Sequence, residues 1–179
     1  MIFLSEILFT VEGVTDRGAV KGVAHKYRKK IIVDLMDGNR ACKIKGLIKT
    51  RKCEKYVLIK DLHTYEEQSI RKIYNNVKNN INAHLKDLVD LIIIKYEIET
   101  WFLSDIDAIN KVFNCDIRIK INNTEDITDP STYLDEILIT HGKRYIKNEK
   151  LAYNIMQEAN YEILSNKCSS FKAFLKYFI

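Results

Sequence analysis

The chain has 179 residues, a length that suits one domain or one domain with a small appendage. With 46% hydrophobic and 30% charged residues, one Pro and six Gly, it excludes global disorder and long linkers and can build a packed core. The formal charge of +5 is a mild basic excess, compatible with a nucleic-acid partner and equally with none.

In chain order, residues 7–11 form a short β-prone run that ends at Glu12-Gly13. Ala19, Val20, Val23 and Ala24 then recur at helical spacing, with Thr15 or Asp16 as the N-cap. The helix fades in the basic run of residues 25–30. Residues 31–35 read as a second buried strand, and Asp37-Gly38-Asn39 as a turn. Residues 40–52 are a short helix or a loop. Residues 55–60 form a third strand that ends at Asp61. Ile70, Ile73, Tyr74, Val77, Ile81 and Leu85 predict one long amphipathic helix over 66–85. Residues 91–96 are a fourth strand, apolar nearly throughout, as a strand buried on both faces should be.

Residues 97–112 turn helical, with Trp101 as core or as a base-stacking platform. Residues 117–121 alternate and predict a short strand. Asp129-Pro130 opens a helix that runs to Gly142, with Pro at its first position. Residues 147–159 and 169–178 are two further amphipathic helices.

Alternating strands and helices predict an α/β fold: a Rossmann-like, mainly parallel central sheet of about four strands flanked by helices, with a helical C-terminal third. The expected organisation is one domain over 1–179, with core sheet and helices in 1–112 and a mostly helical extension in 113–179. The opening MIFLSEILFTVEG lacks a basic leader and a small-residue cleavage site, and no run approaches the ~18 apolar residues of a membrane span. The expectation is a cytoplasmic protein with no membrane partner. Cys42, Cys53, Cys115 and Cys168 are scattered and form no C-x-x-C pair, so reduced thiols are expected, a Cys42–Cys53 disulfide being the alternative.

In open α/β sheets, sites form at the carboxyl ends of strands. Here the first strand ends at Glu12, with Asp16 beyond it, the third at Asp61 and the fourth at Glu97 and Glu99. Carboxylates gathered at one edge repel one another unless a cation neutralises them. Mg²⁺ does so with one or two carboxylates, several waters and substrate phosphate, an arrangement suited to phosphodiester chemistry. Gly13 would let a phosphate approach the turn. Asp16 reads alternatively as a helix N-cap or first-turn charge, and Glu97 as a solvated or salt-bridged neighbour. The chain has no G-x-x-x-x-G-K-[ST] loop and no G-x-S-x-G elbow, and Gly13 alone is no dinucleotide fingerprint.

These residues resemble a known pattern. Val11-Glu12-Gly13-Val14-Thr15-Asp16 is similar to the V-E-G-x-x-D opening of toprim domains, found in topoisomerases, primases, some ribonucleases and OLD-type nucleases. The strand ending in Asp61-Leu62-His63 stands where those domains carry D-x-D. Glu97-Ile98-Glu99-Thr100-Trp101, Asp129-Pro130, Tyr145-Ile146-Lys147 and Ser169-Ser170-Phe171-Lys172-Ala173-Phe174 resemble, in order, the blocks of an uncharacterised family of small stand-alone toprim-like proteins.

The resemblance implies a toprim fold and a site of Glu12, Asp61 and Glu99, with Glu12 as general acid/base. The expected cofactor is Mg²⁺, or Mn²⁺, held among Glu12, Asp61, His63 and Glu99. His63 replaces the second aspartate of D-x-D. An imidazole suits Mn²⁺ or Zn²⁺ better than Mg²⁺, so either the metal differs, Glu99 supplies the missing carboxylate, or catalysis is lost and His63 is a polar loop residue. Lys147, Ser169, Ser170 and Lys172 are the expected phosphate contacts, with a helix cap as the other reading of the serines. The implied function is a metal-dependent nuclease or phosphodiester-transfer protein acting on DNA or RNA. The alternatives are a non-catalytic module that binds nucleic acid or a separately encoded ATPase, in defence or on a mobile element, and a small ribonuclease of the ribosomal-RNA-maturing type. Small toprim-like domains also dimerise, so a homodimer is a further expectation.

Overall fold

The computed structural model describes residues 6–36, 41–63 and 66–179. The turn expected at Asp37-Gly38-Asn39 lies outside these residues, as does the side chain of Cys42. Cys53, Cys115 and Cys168 carry free thiols.

Strands β1 (Ile7–Val11), β2 (Ile31–Leu35), β3 (Lys55–Asp61) and β4 (Val89–Ile94) form one sheet in the order β2-β1-β3-β4. All three pairings are parallel, with Ile7 opposite both Ile31 and Lys55, and Asp61 opposite Ile94. The expected parallel α/β architecture is therefore present. Helix α1 (Val14–Lys26) carries the chain from β1 to β2, α2 (Ala41–Thr50) from β2 to β3, and α3 (Glu67–Asn79) from β3 to β4.

Strand alternation divides the core into two layers. Leu8, Tyr56, Leu58 and Val89 pack with Ile44 and Ile48 of α2 and Val77 of α3. Phe9, Val11, Val57, Ile59, Ile92 and Ile94 face the opposite way, toward α1 and the helices that follow β4. Those helices are α4 (Glu99–Leu103), α5 (Ile106–Phe113), α6 (Pro130–Ile139), α7 (Glu149–Glu158), α8 (Tyr161–Lys167) and α9 (Ser169–Leu175). Phe9 stacks on Phe178 at 5.8 Å and tilts against Phe174 at 5.4 Å, so the C-terminal helices cover the sheet itself. Each such buried aromatic contributes roughly 2–3 kcal/mol of transfer free energy. Trp101 is fully buried and donates from Nε1 to Ser170 Oγ at 2.9 Å, which places it in the core and away from any base-stacking role.

Several elements depart from the sequence reading. The helix expected over 66–85 stops at Asn79, and a 3-10 turn at Ala83–Leu88 leads into β4. Asn80 turns its amide back onto Asn76 O at 2.8 Å, competing for the backbone that would continue the helix. The helix expected over 97–112 is two, because Asp105 accepts from Asp107 N and Ala108 N and starts α5 afresh. The strand expected at 117–121 joins no ladder. Asn110 satisfies Ile117 N at 2.8 Å and Ile117 O at 3.0 Å instead. Helix α8, which no sequence signal marked, is capped by Asn160. Asp129 caps α6 with Pro130 at its start, as expected.

One close approach matters for the site. A Cβ on Gly18 would lie 2.1 Å from Glu149 O, and one on Gly22 would lie 2.8 Å from Tyr153 O. The two glycines let α7 settle directly on α1, where Arg17 and Lys21 both pair with Glu149. Docking α7 fixes the segment just before it, which carries Tyr145 and Lys147. No helix among the described residues is long and apolar enough to cross a membrane.

Candidate functional site

The sheet order places a switch point between β1 and β3, because the chain leaves β1 toward β2 on one side and returns to β3 on the other. A crevice opens there at the carboxyl ends of the strands. Glu12 leaves β1 and Asp61 ends β3, one on each side of it. The cleft has a volume of about 220 Å³ and is lined by Glu12, Gly13, Asp16, Asp61, His63, Glu99 and Lys147 among others.

Each carboxylate is held locally. Asp16, in the first turn of α1, accepts from Gly13 N at 2.9 Å. It is thus the first-turn acid of α1, the second of its two cap-region readings, and it bonds back to Gly13, which holds the N-cap position expected of Thr15 or Asp16. Glu99 opens α4 and is 1% exposed. Its Oε1 accepts from Tyr145 Oη at 2.7 Å and lies 3.5 Å from Lys147 Nζ, while its Oε2 is buried with no hydrogen-bond partner among the described residues. Glu97 Oε1 accepts from Lys147 at 2.9 Å. His63 stands amid three acids, with Nε2 3.8 Å from Glu12 and 4.0 Å from Asp61, and Nδ1 3.7 Å from Glu97.

Two residues that frame the cleft adopt left-handed backbone, His63 at φ 45° and Tyr96 at φ 70°. His63 N donates to Tyr96 O at 3.0 Å, tying the ends of β3 and β4 together. Such conformations are strained for residues with a Cβ and persist where the surroundings dictate them.

Burial in this corner opposes ionisation. It pushes the Asp16 carboxyl up to about 6, against the Gly13 hydrogen bond. Burial, reinforced by Asp16, Glu99 and Glu97, raises Asp61 well above the usual carboxylate range. Burial also raises Glu99, against the pull of Lys147 and Tyr145. Glu97 is less deeply set, and although burial raises it, hydrogen bonds from Ser131 and Lys147 bring it below its ordinary value. Lys147 is held up by Glu99, Glu97 and Asp61 in spite of its own burial.

The structure brings Glu12, Asp61, His63, Glu99 and Lys147 to one cleft. It does not bring Ser169, Ser170 or Lys172 there. Ser169 and Ser170 line a separate cleft of about 380 Å³ beside β4, with Leu62, Arg71, Lys95 and Glu125. There Ser169 donates from Oγ to Glu125 at 2.7 Å, and Ser170 accepts from Trp101. Lys172 is exposed on α9. Among the described residues, no three His, Cys, Asp or Glu side chains gather closely enough to hold a metal ion by themselves.

Sequence reasoning missed Lys60 and Tyr145 as members of the site. Lys60 is ion-paired with Glu12 and is 5% exposed. Its signal was a lysine set between the apolar run of residues 56–59 and Asp61. Tyr145 and Lys147 lie two apart on an extended segment, which aims both side chains the same way and onto Glu99 while Ile146 points outward at 70% exposure.

Comparison with known proteins places the chain. No curated protein matches it. A solved structure, the C-terminal region of the Burkholderia pseudomallei OLD protein, aligns with 97% of this chain and 100% of that one, at 13% identity and a TM-score of 0.49. The family described as Domain of unknown function (DUF4276) matches residues 11–178, and the chain belongs to it.

Proposed function

We propose that this protein is a toprim-like, divalent-metal-dependent nuclease or phosphodiester-transfer protein that acts on nucleic acid. The observation that carries the reading is the meeting of Glu12, Asp16, Asp61 and Glu99 at the switch point, three of them buried and held reluctant to ionise.

A small hard cation fits this donor set. The cleft offers carboxylate oxygens, Glu99 Oε2 is buried with no partner among the described residues, and mutual repulsion among the acids would be relieved by positive charge. Mg²⁺ requires only one or two protein carboxylates, so a site without three converged ligands remains suitable for it. One or two of the carboxylates of Glu12, Asp61 and Glu99 would hold the ion together with water, and Mn²⁺ would find His63 nearby as well. When bound, the metal would stabilise negative charge on a phosphate and lower the pKa of water.

The chain's own residues would do the rest. Glu12 would take up or return a proton, with His63 3.8 Å from its second oxygen. Lys147, 47% exposed at the cleft mouth, would turn from Glu97 to a backbone phosphate. Tyr145 would keep Glu99 oriented.

The test is a cleavage assay on single- and double-stranded DNA and RNA with Mg²⁺ or Mn²⁺, beside Glu12→Gln. Cleavage by the wild type and none by the variant is expected; equal activity in the two would refute the assignment. In parallel, the metal should raise Tm, and Asp61→Asn should abolish the rise.

A second reading is a binding module without catalysis, working on nucleic acid or with a separately encoded ATPase. His63 in place of a second aspartate favours it. Retention of nucleic acid in EDTA, weakened by salt, with no cleavage under any metal, would select that reading.

A further inference from the structure

Lys60 enters the acidic corner from the wrong side of the sheet. Along β3, Tyr56, Leu58 and Lys60 face the α2/α3 layer, while Val57, Ile59 and Asp61 face the other. The aliphatic stem of Lys60 runs beside Met36, Ile44, Ile70 and Tyr74. Its ammonium reaches over the strand ends to Glu12 Oε1. The side chain is only 6% exposed, against 47% for Lys147.

Burying an ammonium is costly unless it is paired, and an aliphatic residue would fill the same apolar channel without that cost. The charge is therefore there for the groups it pairs with, Glu12 among them. Lys147 can swing from Glu97 into solvent. Lys60 has no such exit, because the α2/α3 layer encloses its stem. Any divalent cation drawn to the corner meets an ammonium already seated on Glu12 and beside Asp61.

We propose that Lys60 is an internal counter-cation: it holds Glu12 in place in the metal-free protein and opposes the divalent cation, so that it sets the metal affinity of the site. Lys60 is a positioning residue in this scheme. Two cations that share one carboxylate bind with negative coupling, and by linkage metal binding loosens the Lys60–Glu12 pair as much as the pair weakens the metal. The inference rests on the metal-dependent reading above.

The test is a Mn²⁺ titration of the full chain, with free Mn²⁺ read by electron paramagnetic resonance. Lys60→Met, which suits the apolar channel, is expected to bind Mn²⁺ roughly ten-fold tighter than the wild type, and Lys60→Arg no tighter than the wild type. Equal or weaker binding by Lys60→Met, with the wild type binding normally, overturns the proposal and leaves the metal reading standing. No binding by the wild type or the variant overturns both. A second measurement needs no variant: acylation of Lys60 by a water-soluble succinimidyl ester, read by peptide mass. Mn²⁺ should increase Lys60 labelling several-fold as the pair loosens; labelling unchanged by a bound metal overturns the proposal.

Discussion

Tyr145 Oη donates a 2.7 Å hydrogen bond to Glu99 Oε1, joining residues 46 positions apart inside the acidic corner. Both partners are buried, Tyr145 at 8% and Glu99 at 1% exposure. Removing one partner of such a bond leaves the other short of a donor it cannot replace from water. Tyr145→Phe is therefore expected to destabilise the protein by about 1–3 kcal/mol and lower Tm by about 2–12 °C. Thermal unfolding followed by circular dichroism checks this, and an unchanged Tm would show that water supplies the missing donor.

The glycines of α1 give a sharper contrast. Gly18→Ala drives a Cβ to 2.1 Å from a backbone oxygen of α7, which cannot rotate aside. Overpacking of this kind costs about 1–3 kcal/mol, more than the ~1 kcal/mol that alanine returns in helix propensity. Because α7 carries the segment with Tyr145 and Lys147, the same substitution should also disturb the cleft. Gly46 lies in α2 with nothing among the described residues within 4 Å of a would-be Cβ, so Gly46→Ala should stabilise by roughly 0.5–1 kcal/mol. Denaturant unfolding of the two variants should move in opposite directions.

The raised carboxyls make the metal-free protein sensitive to pH. Asp16 is pushed up to about 6 by burial, and burial raises Asp61 and Glu99 too. A carboxyl with a folded pKa above its unfolded value binds its proton more tightly when folded. Its contribution to stability is fully present below about pH 4 and is lost as pH rises through about 6. Tm in EDTA should therefore be higher at about pH 5.5 than at about pH 7.5, by on the order of 5 °C, and Asp16→Asn should flatten the difference. Calorimetry across that window decides; a Tm that rises with pH would mean these acids are ionised and well compensated.

Ser170 and Lys172 separate packing from surface. Ser170 Oγ accepts from the buried Trp101 indole, so Ser170→Ala should cost about 1–3 kcal/mol. Lys172 is exposed, and Lys172→Ala should change stability by less than about 0.5 kcal/mol. Equal effects from the two would undo the assignment of Ser170 to the core.

Much of the fold was legible because periodicity is a local property. Apolar runs bounded by polar turns marked β1, β2, β3 and most of β4, and Asp129-Pro130 marked the start of α6. Boundaries failed where a side chain redirected the backbone: Asn80 ended α3, Asp105 restarted α5, and Asn110 took the bonds that a strand at 117–121 would have made. None of those competitions is visible in hydrophobic spacing.

The sequence by itself determined that carboxylates stand at the ends of β1, β3 and β4, since the strand ends and the residue types are both written in it. Only the tertiary structure decided which of them meet. Strand order puts Glu12 and Asp61 across one crevice, and the fit of α7 on Gly18 and Gly22 brings Tyr145 and Lys147 to Glu99. Packing against Trp101 and Glu125 turns Ser170 and Ser169 away to another cleft, and the alternation of β3 brings Lys60 to Glu12 from the opposite layer. The physical reason is that burial of both sheet faces is a property of the whole chain: it selects one arrangement of helices, and that arrangement sets the distances between residues far apart in sequence.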